Sequence, residues 1–201
     1  MTTRGQRVSY AVRGGLDDAF VEDELGIDVD QMRKEFLKAL DRLSKFTHIE
    51  PAVFGVDDAT LETVTAESLE AFISLFETIA KCRAGVEEAV EEEVRSALHD
   101  ELLRTAVSEL DELATHYRVE DATVDTISVK SLDESQIVFS IIGSVYCRFQ
   151  YGSSSDVRND DGVITFDSYP LTCDFTADAK HPREVTARND TLAVDNSSFY
   201  Q

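Results

Sequence analysis

The residues with the most chemical potential stand together in Gly152-Ser-Ser-Ser-Asp-Val-Arg-Asn-Asp-Asp-Gly162. Asp156, Asp160 and Asp161 supply hard oxygen donors, the type that Mg²⁺ or Mn²⁺ prefers. Arg158 between them suits a phosphate oxygen or the charge that develops in phosphoryl transfer. A divalent ion would also offset the negative field that bare acids present to a polyanion. The same residues serve a solvated hairpin loop equally well. Gly, Ser, Asn and Asp satisfy turn geometry, Asp156 can accept backbone hydrogen bonds, and Arg158 can pair with Asp160. The metal candidates are therefore Asp156, Asp160 and Asp161, and the catalytic candidates Asp156, Arg158 and Asp161. A metal nuclease usually draws its acids from separate strands and adds a lysine, and that pattern is not visible.

Other chemistry is sparse. No nucleophile elbow, phosphate-binding glycine loop, HExxH or CxxC pair occurs. His99 and His116 fall on a helical stretch but not at i, i+4, so they read as surface or half-buried side chains. Cys82, Cys147 and Cys173 are odd in number and widely spaced, which fits neither a disulfide framework nor a zinc site. They read as small buried thiols.

Strands position the polar segment. Val145, Cys147, Phe149 and Tyr151 alternate with Tyr146, Arg148 and Gln150, and Val163–Phe166 follows the segment as a second strand. Ile137–Ile142 is apolar on both faces, so it is expected to be central and covered by helices, with Gly143 as a bulge or bend. Val124–Val129, Leu171–Phe175 and Thr191–Val194 complete the strand set, with a turn at Ser131–Ser135.

Helices precede these strands. Val29, Met32, Phe36, Leu40 and Leu43 mark one helix, capped by Asp28 or Asp30 and ending near Phe46 before Pro51. An apolar stripe from Leu69 through Phe76 and Val90 to Ala114 reads literally as some fifty residues of helix. Breaks are expected near Gly85 and His99–Asp100, giving two or three packed helices or one extended hairpin. Glu87–Glu93 reads as a solvated face. Residues 1–28 read as a loosely ordered leader, with Val8–Val12 as an optional short strand. The fold class is α+β: a leader over 1–28, a helical bundle or hairpin over 29–118, and an antiparallel β-meander over 119–201.

The 201 residues carry 40 acidic against 19 basic side chains, a net charge of −21 and a pI near 4.4. Such a surface repels phosphate backbones unless a basic patch or bound metal reverses the sign locally. Only Arg4, Arg7 and Arg13 cluster, and loosely. Thirteen arginines against six lysines, with abundant acid, point to a halophile, where about 1 M salt cuts the Debye length to roughly 3 Å. The charge then says little about ligands. No apolar run reaches the length of a membrane span and no signal-peptide core opens the chain, so a soluble, cytoplasmic protein without a membrane partner is expected.

Three stretches together resemble a known family. They are Leu43-Ser-Lys-Phe-Thr-His-Ile49 with Phe54-Gly55, Leu113-Ala-Thr-His-Tyr117 leading into Val124–Val129, and Phe149–Gly162 followed by Ser168-Tyr-Pro-Leu171. They are similar to the predicted prokaryotic PIWI-associating nucleases, whose β-rich C-terminal part carries a Gln-Tyr-Gly-Ser-x-Ser-Asp-x-Arg-x-x-Asp-Gly run. The resemblance spans roughly 36–175 and carries over the loop positions Gly152, Ser153, Asp156, Arg158, Asp161 and Gly162. It implies a role in defence beside an Argonaute-like partner or another defence module, with nucleic acid as the substrate if the chain is catalytic. An active part lying upstream in the family would leave this chain the accessory domain. Three functions follow: a metal-dependent nuclease, a non-catalytic module binding a protein or nucleic acid, or an acidic mimic of nucleic acid. The first is the working expectation.

Overall fold

The computed structural model describes residues 3–47 and 56–200, so His48-Ile49 and Phe54-Gly55 of the resemblance, and Pro51 after the first helix, lie outside the described residues. The chain divides into two compact units, Met1–Val86 and Glu87–Gln201. The division falls inside a helix, not at the change from helix to strand.

The first unit contains α1 (Arg4–Arg13), a π-helical turn (Phe20–Glu24), α2 (Val29–Thr47) and most of α3 (Asp58–Ala89). The loose leader with a strand at Val8–Val12 is overturned by α1. Thr3 and Gln6 form a reciprocal capping box there, at 2.8 and 3.2 Å. Val8 and Val12 are both buried by this helix. Two apolar residues four apart fit strand alternation and one helical turn alike, and the cap decides between them. In α2, Asp28, one of the two expected caps, is the one used, its Oδ1 accepting from the Gln31 N–H at 2.7 Å. Val29, Met32 and Phe36 are buried.

Both expected helix breaks lie elsewhere. The α3 helix runs through Gly85, where the absent Cβ leaves room for the Leu25 side chain 3.3 Å from its position. Tertiary packing here outweighs the roughly 1 kcal/mol that glycine costs in a helix. The break comes at Val90, with φ −107°. The Ala89 carbonyl and the Glu93 carboxylate accept from Arg183 at 2.6 and 2.8 Å. Next, α4 (Glu91–Arg104) passes through His99–Asp100 and ends at Thr105, whose backbone is extended. A single turn, α5 (Ser108–Asp111), follows.

Helices α4 and α5 share the second unit with four antiparallel strands in the order β1 (His116–Leu132), β2 (Gln136–Tyr151), β3 (Val163–Asp178) and β4 (His181–Val194). This is the α+β meander the sequence predicts, with longer strands. β3 continues through Pro170 instead of breaking there, and β4 begins at His181, ten residues before Thr191. β4 pairs with β3 only from Leu171 onward, so Pro170 has no strand partner on that side and its missing N–H is tolerated. Its carbonyl accepts from the Asp195 N–H at 2.9 Å.

One face of the sheet is the core. Phe139, Ile141, Val145, Cys147 and Phe149 of β2, with Tyr169, Leu171, Cys173 and Phe175 of β3, are almost wholly buried. Val94, Leu98 and Leu102 of α4 are buried with them, and the α4 backbone comes nearest to the two edge strands, so the sheet curves around the helix. β1 supplies the curvature through register shifts at Glu120, Asp125 and Lys130. The bulge expected at Gly143 is thus on the facing strand. β2 itself is continuous, and Gly143 admits a close approach: a Cβ there would sit 2.0 Å from the Thr123 carbonyl oxygen. The opposite face of β2 is open, with Ile142 exposed, so Ile137–Ile142 is covered on one side only.

Gly143→Ala is therefore expected to destabilise by about 3 kcal/mol or more, the upper end of overpacking. The denaturant midpoint of the variant against the parent measures it.

Candidate functional site

The polar segment is a capped helical turn, α6 (Ser154–Arg158), not an open loop. Ser153 caps it, with the Ser153 N–H donating to Asp156 Oδ2 at 2.7 Å and the Asp156 N–H to Ser153 Oγ at 3.2 Å. The Asp156 carbonyl then accepts from the N–H groups of Asn159, Asp161 and Gly162 at 2.9–3.1 Å. Gly152 enters the turn at φ +96°, where a side chain would be strained, and Asp160 leaves it in the left-handed region. Arg158 Nε donates to the Ser154 carbonyl at 3.1 Å. Asp160 and Asp161 are exposed.

The predicted residues are thus divided by role. Gly152, Ser153 and Asp156 are brought together to close the turn, and Gly162 ends it. The hydrogen bonds from the Ser153 side chain and backbone hold the Asp156 carboxyl below its ordinary value of 3.8. Asp156 Oδ2 is engaged in the cap by the Ser153 N–H. Among the described residues no group of three or more His, Cys, Asp or Glu is placed to hold a metal.

The thiols are buried, as expected. Burial pushes Cys82 and Cys147 up to about 11, with Asp167 adding to the effect at Cys147. Neither is a nucleophile near neutral pH. The first unit holds an open cavity of about 380 Å³ walled by Met32, Phe36 and Ala71, with the Arg42–Glu67 ion pair in its lining.

A second group of side chains lies on the open face of the sheet, at the end where α6 joins β2 to β3. Tyr146 and Phe166 stack with ring centroids 5.9 Å apart and planes 14° from parallel, yet they remain 43% and 54% exposed. Register places Arg148 directly between Phe166 on β3 and Arg118 on β1. Ile164 extends the apolar surface one pair further towards α6. Asp121, opposite Tyr146, is the one acid in these rows, and Glu120 at the bulge reaches Arg118 at 3.7 Å. Two arginines and two stacked rings thus occupy one patch of a strongly acidic chain.

Sequence reading placed Tyr146 and Arg148 together on the face opposite Cys147. It did not join them to Phe166 and Arg118, because strand register brings those residues in and alternation alone does not give register.

Two family models match the chain, over residues 1–72 and 79–200, and both are described as predicted pPIWI-associating nuclease. The chain belongs to this family. The description gives the family a nuclease-like role beside a pPIWI protein. No curated protein and no solved structure matches the chain. No helix among the described residues is long and apolar enough to cross a membrane.

The cap makes a pH prediction for α6. Because the Asp156 pKa is lowered in the fold, the cap's stabilisation is complete above the unfolded-state value and is lost as pH falls through the folded one. Protection of the Ser153 amide from hydrogen exchange should therefore persist at pH 5 and be lost only as the pH falls below 3.8 through the lowered folded-state value. In Asp156→Ala it should be absent at every pH.

Proposed function

We propose that this protein is the nucleic-acid-binding, nuclease-like component of a pPIWI-centred defence system, and that it takes single strands on the open face of its sheet. The observation that carries this reading is the exposed Tyr146–Phe166 stack beside Arg148 and Arg118. Every base has a π-face, so aromatic platforms hold single strands with little regard to sequence. Arginine adds stacking on a base and a forked donor for phosphate. Duplex DNA keeps its bases inside and offers such a platform nothing to stack on.

The acidic remainder of the chain confines a polyanion to this patch. In concentrated salt both attraction and repulsion are screened, and stacking is left to supply the affinity.

Hydrolysis with Mg²⁺ or Mn²⁺ at Asp156, Asp160 and Asp161, with Arg158 on the phosphate, has the family description in its favour. The engaged Asp156 carboxylate weighs against it. A protein partner of the pPIWI type also follows from the family description.

Fluorescence anisotropy with labelled single-stranded DNA and RNA, and with duplex as the control, tests the reading. Tyr146→Ala and Phe166→Ala should each weaken binding by about 5- to 150-fold, the worth of roughly one stacked base. Removing Arg118 or Arg148 should lower the salt slope by about 0.7 if each meets one phosphate. Single strands that fail to bind, or that bind the ring variants as tightly as the parent, would sink the reading. Cleavage in Mn²⁺ but not EDTA that Asp161→Ala abolishes would restore a catalytic α6 segment.

A further inference from the structure

The α3 helix carries an apolar stripe that the first unit leaves open. Leu69, Ile73 and Phe76 are 59%, 57% and 64% exposed. They are flanked on the same face by Thr65 and Ala80, also exposed, and by Phe72, whose ring meets Phe36 edge-on at 5.1 Å. Positions 62, 65, 69, 72, 73, 76, 80 and 83 recur at steps of three and four, so they share one side of the helix. The buried residues of α3, Val64, Ser68, Cys82 and Val86, lie roughly 100° round from it. The stripe is thus additional to the unit's own core. A contiguous run of this kind on a soluble surface marks an interaction site.

The ends of the stripe identify the occupant. Glu62 closes it on the N-terminal side and Arg83 on the C-terminal side, both exposed. The centre of the apolar run falls between Phe72 and Ile73. A two-fold axis there lays the helix against itself in antiparallel fashion. Leu69 of each copy then meets Phe76 of the other, and each Glu62 comes within about one turn of the opposing Arg83. We infer that this face is the dimer interface of the protein, its occupant being α3 of a second copy. The stripe is self-complementary in both terms, apolar to apolar at the centre and acid to base at each end. A surface evolved for a basic partner would not keep Arg83 in line with it.

Sedimentation equilibrium on the full chain, in low and in molar salt, tests this, with Phe76→Asp and Ile73→Asp beside the parent. Both side chains are exposed, so the variants should fold, and far-ultraviolet circular dichroism checks that they do. The parent should be a dimer at micromolar concentration, and each aspartate should raise the dimer dissociation constant by at least about tenfold. Charge exchange reads the orientation. Glu62→Arg and Arg83→Glu should each weaken the dimer about two- to five-fold, and the double exchange should restore it. A parent that stays monomeric across the concentration range overturns the proposal, as does a dimer indifferent to both aspartates. A double exchange no better than the single ones overturns the antiparallel arrangement.

Discussion

The phase of β2 is the constraint on which the second unit depends. Side chains in a strand alternate with a period of two, so committing Phe139, Ile141, Val145, Cys147 and Phe149 to the core fixes the destination of every residue between them. Tyr146 and Arg148 have no other place than the open face. β3 obeys the same rule through Tyr169, Leu171, Cys173 and Phe175, which sends Phe166 to the same side. A slip of one residue between β2 and β3 would separate the two rings and bury Arg148. The patch is therefore held by the core, with rigidity that a loop site would lack.

Curvature is the second requirement, and it comes from β1. A flat sheet cannot bring both edges towards one helix. Three register shifts, each five residues from the next, bend β1 without disturbing β2. Opposite the middle shift, Gly143 gives up its side chain so that the Thr123 carbonyl can approach. The edge that results is guarded: the Val129 N–H, at the exposed side of β1, donates to Glu87 at 2.7 Å. Bulge, glycine and edge cover form one device, and α4 is what they are bent around.

Much of this was legible from the sequence, and the limits have physical causes. Helix α2 was readable to its cap because its stripe, its Asp28 and its polar face agree. The strand of Val145–Tyr151 was readable from alternation alone. Helix breaks were misplaced because Gly85 and His99–Asp100 signal weakness locally, whereas the true break at Val90 involves Arg183, more than ninety residues away. Val8–Val12 was ambiguous because its helix is declared by Thr3 and Gln6, outside the apolar pattern. In the candidate site, the acids and serines stood out by composition, and composition cannot distinguish a carboxylate aimed at a metal from one closing a helical turn. Asp156 is the latter. The rings and arginines of the sheet face were visible singly, and only register assembles them.

The charge of the chain gains its meaning from this assembly. With 40 acids against 19 basic residues, an arginine on the surface ordinarily has an acid beside it. Many do: Arg42 with Glu67, Arg95 with Glu91, Arg183 with Glu93 and Arg188 with Asp190. Arg148 is different in its lateral neighbours, which are an arginine and a phenylalanine. Two guanidinium groups side by side repel one another unless an anion or an aromatic face lies between or beneath them. Here Glu120 lies 3.7 Å from Arg118 and Phe166 stands beside Arg148, and both rings of the stack keep a large share of their surface open. A single strand, the ligand proposed above, would bring a phosphate to the two guanidinium groups and a base to the exposed ring faces.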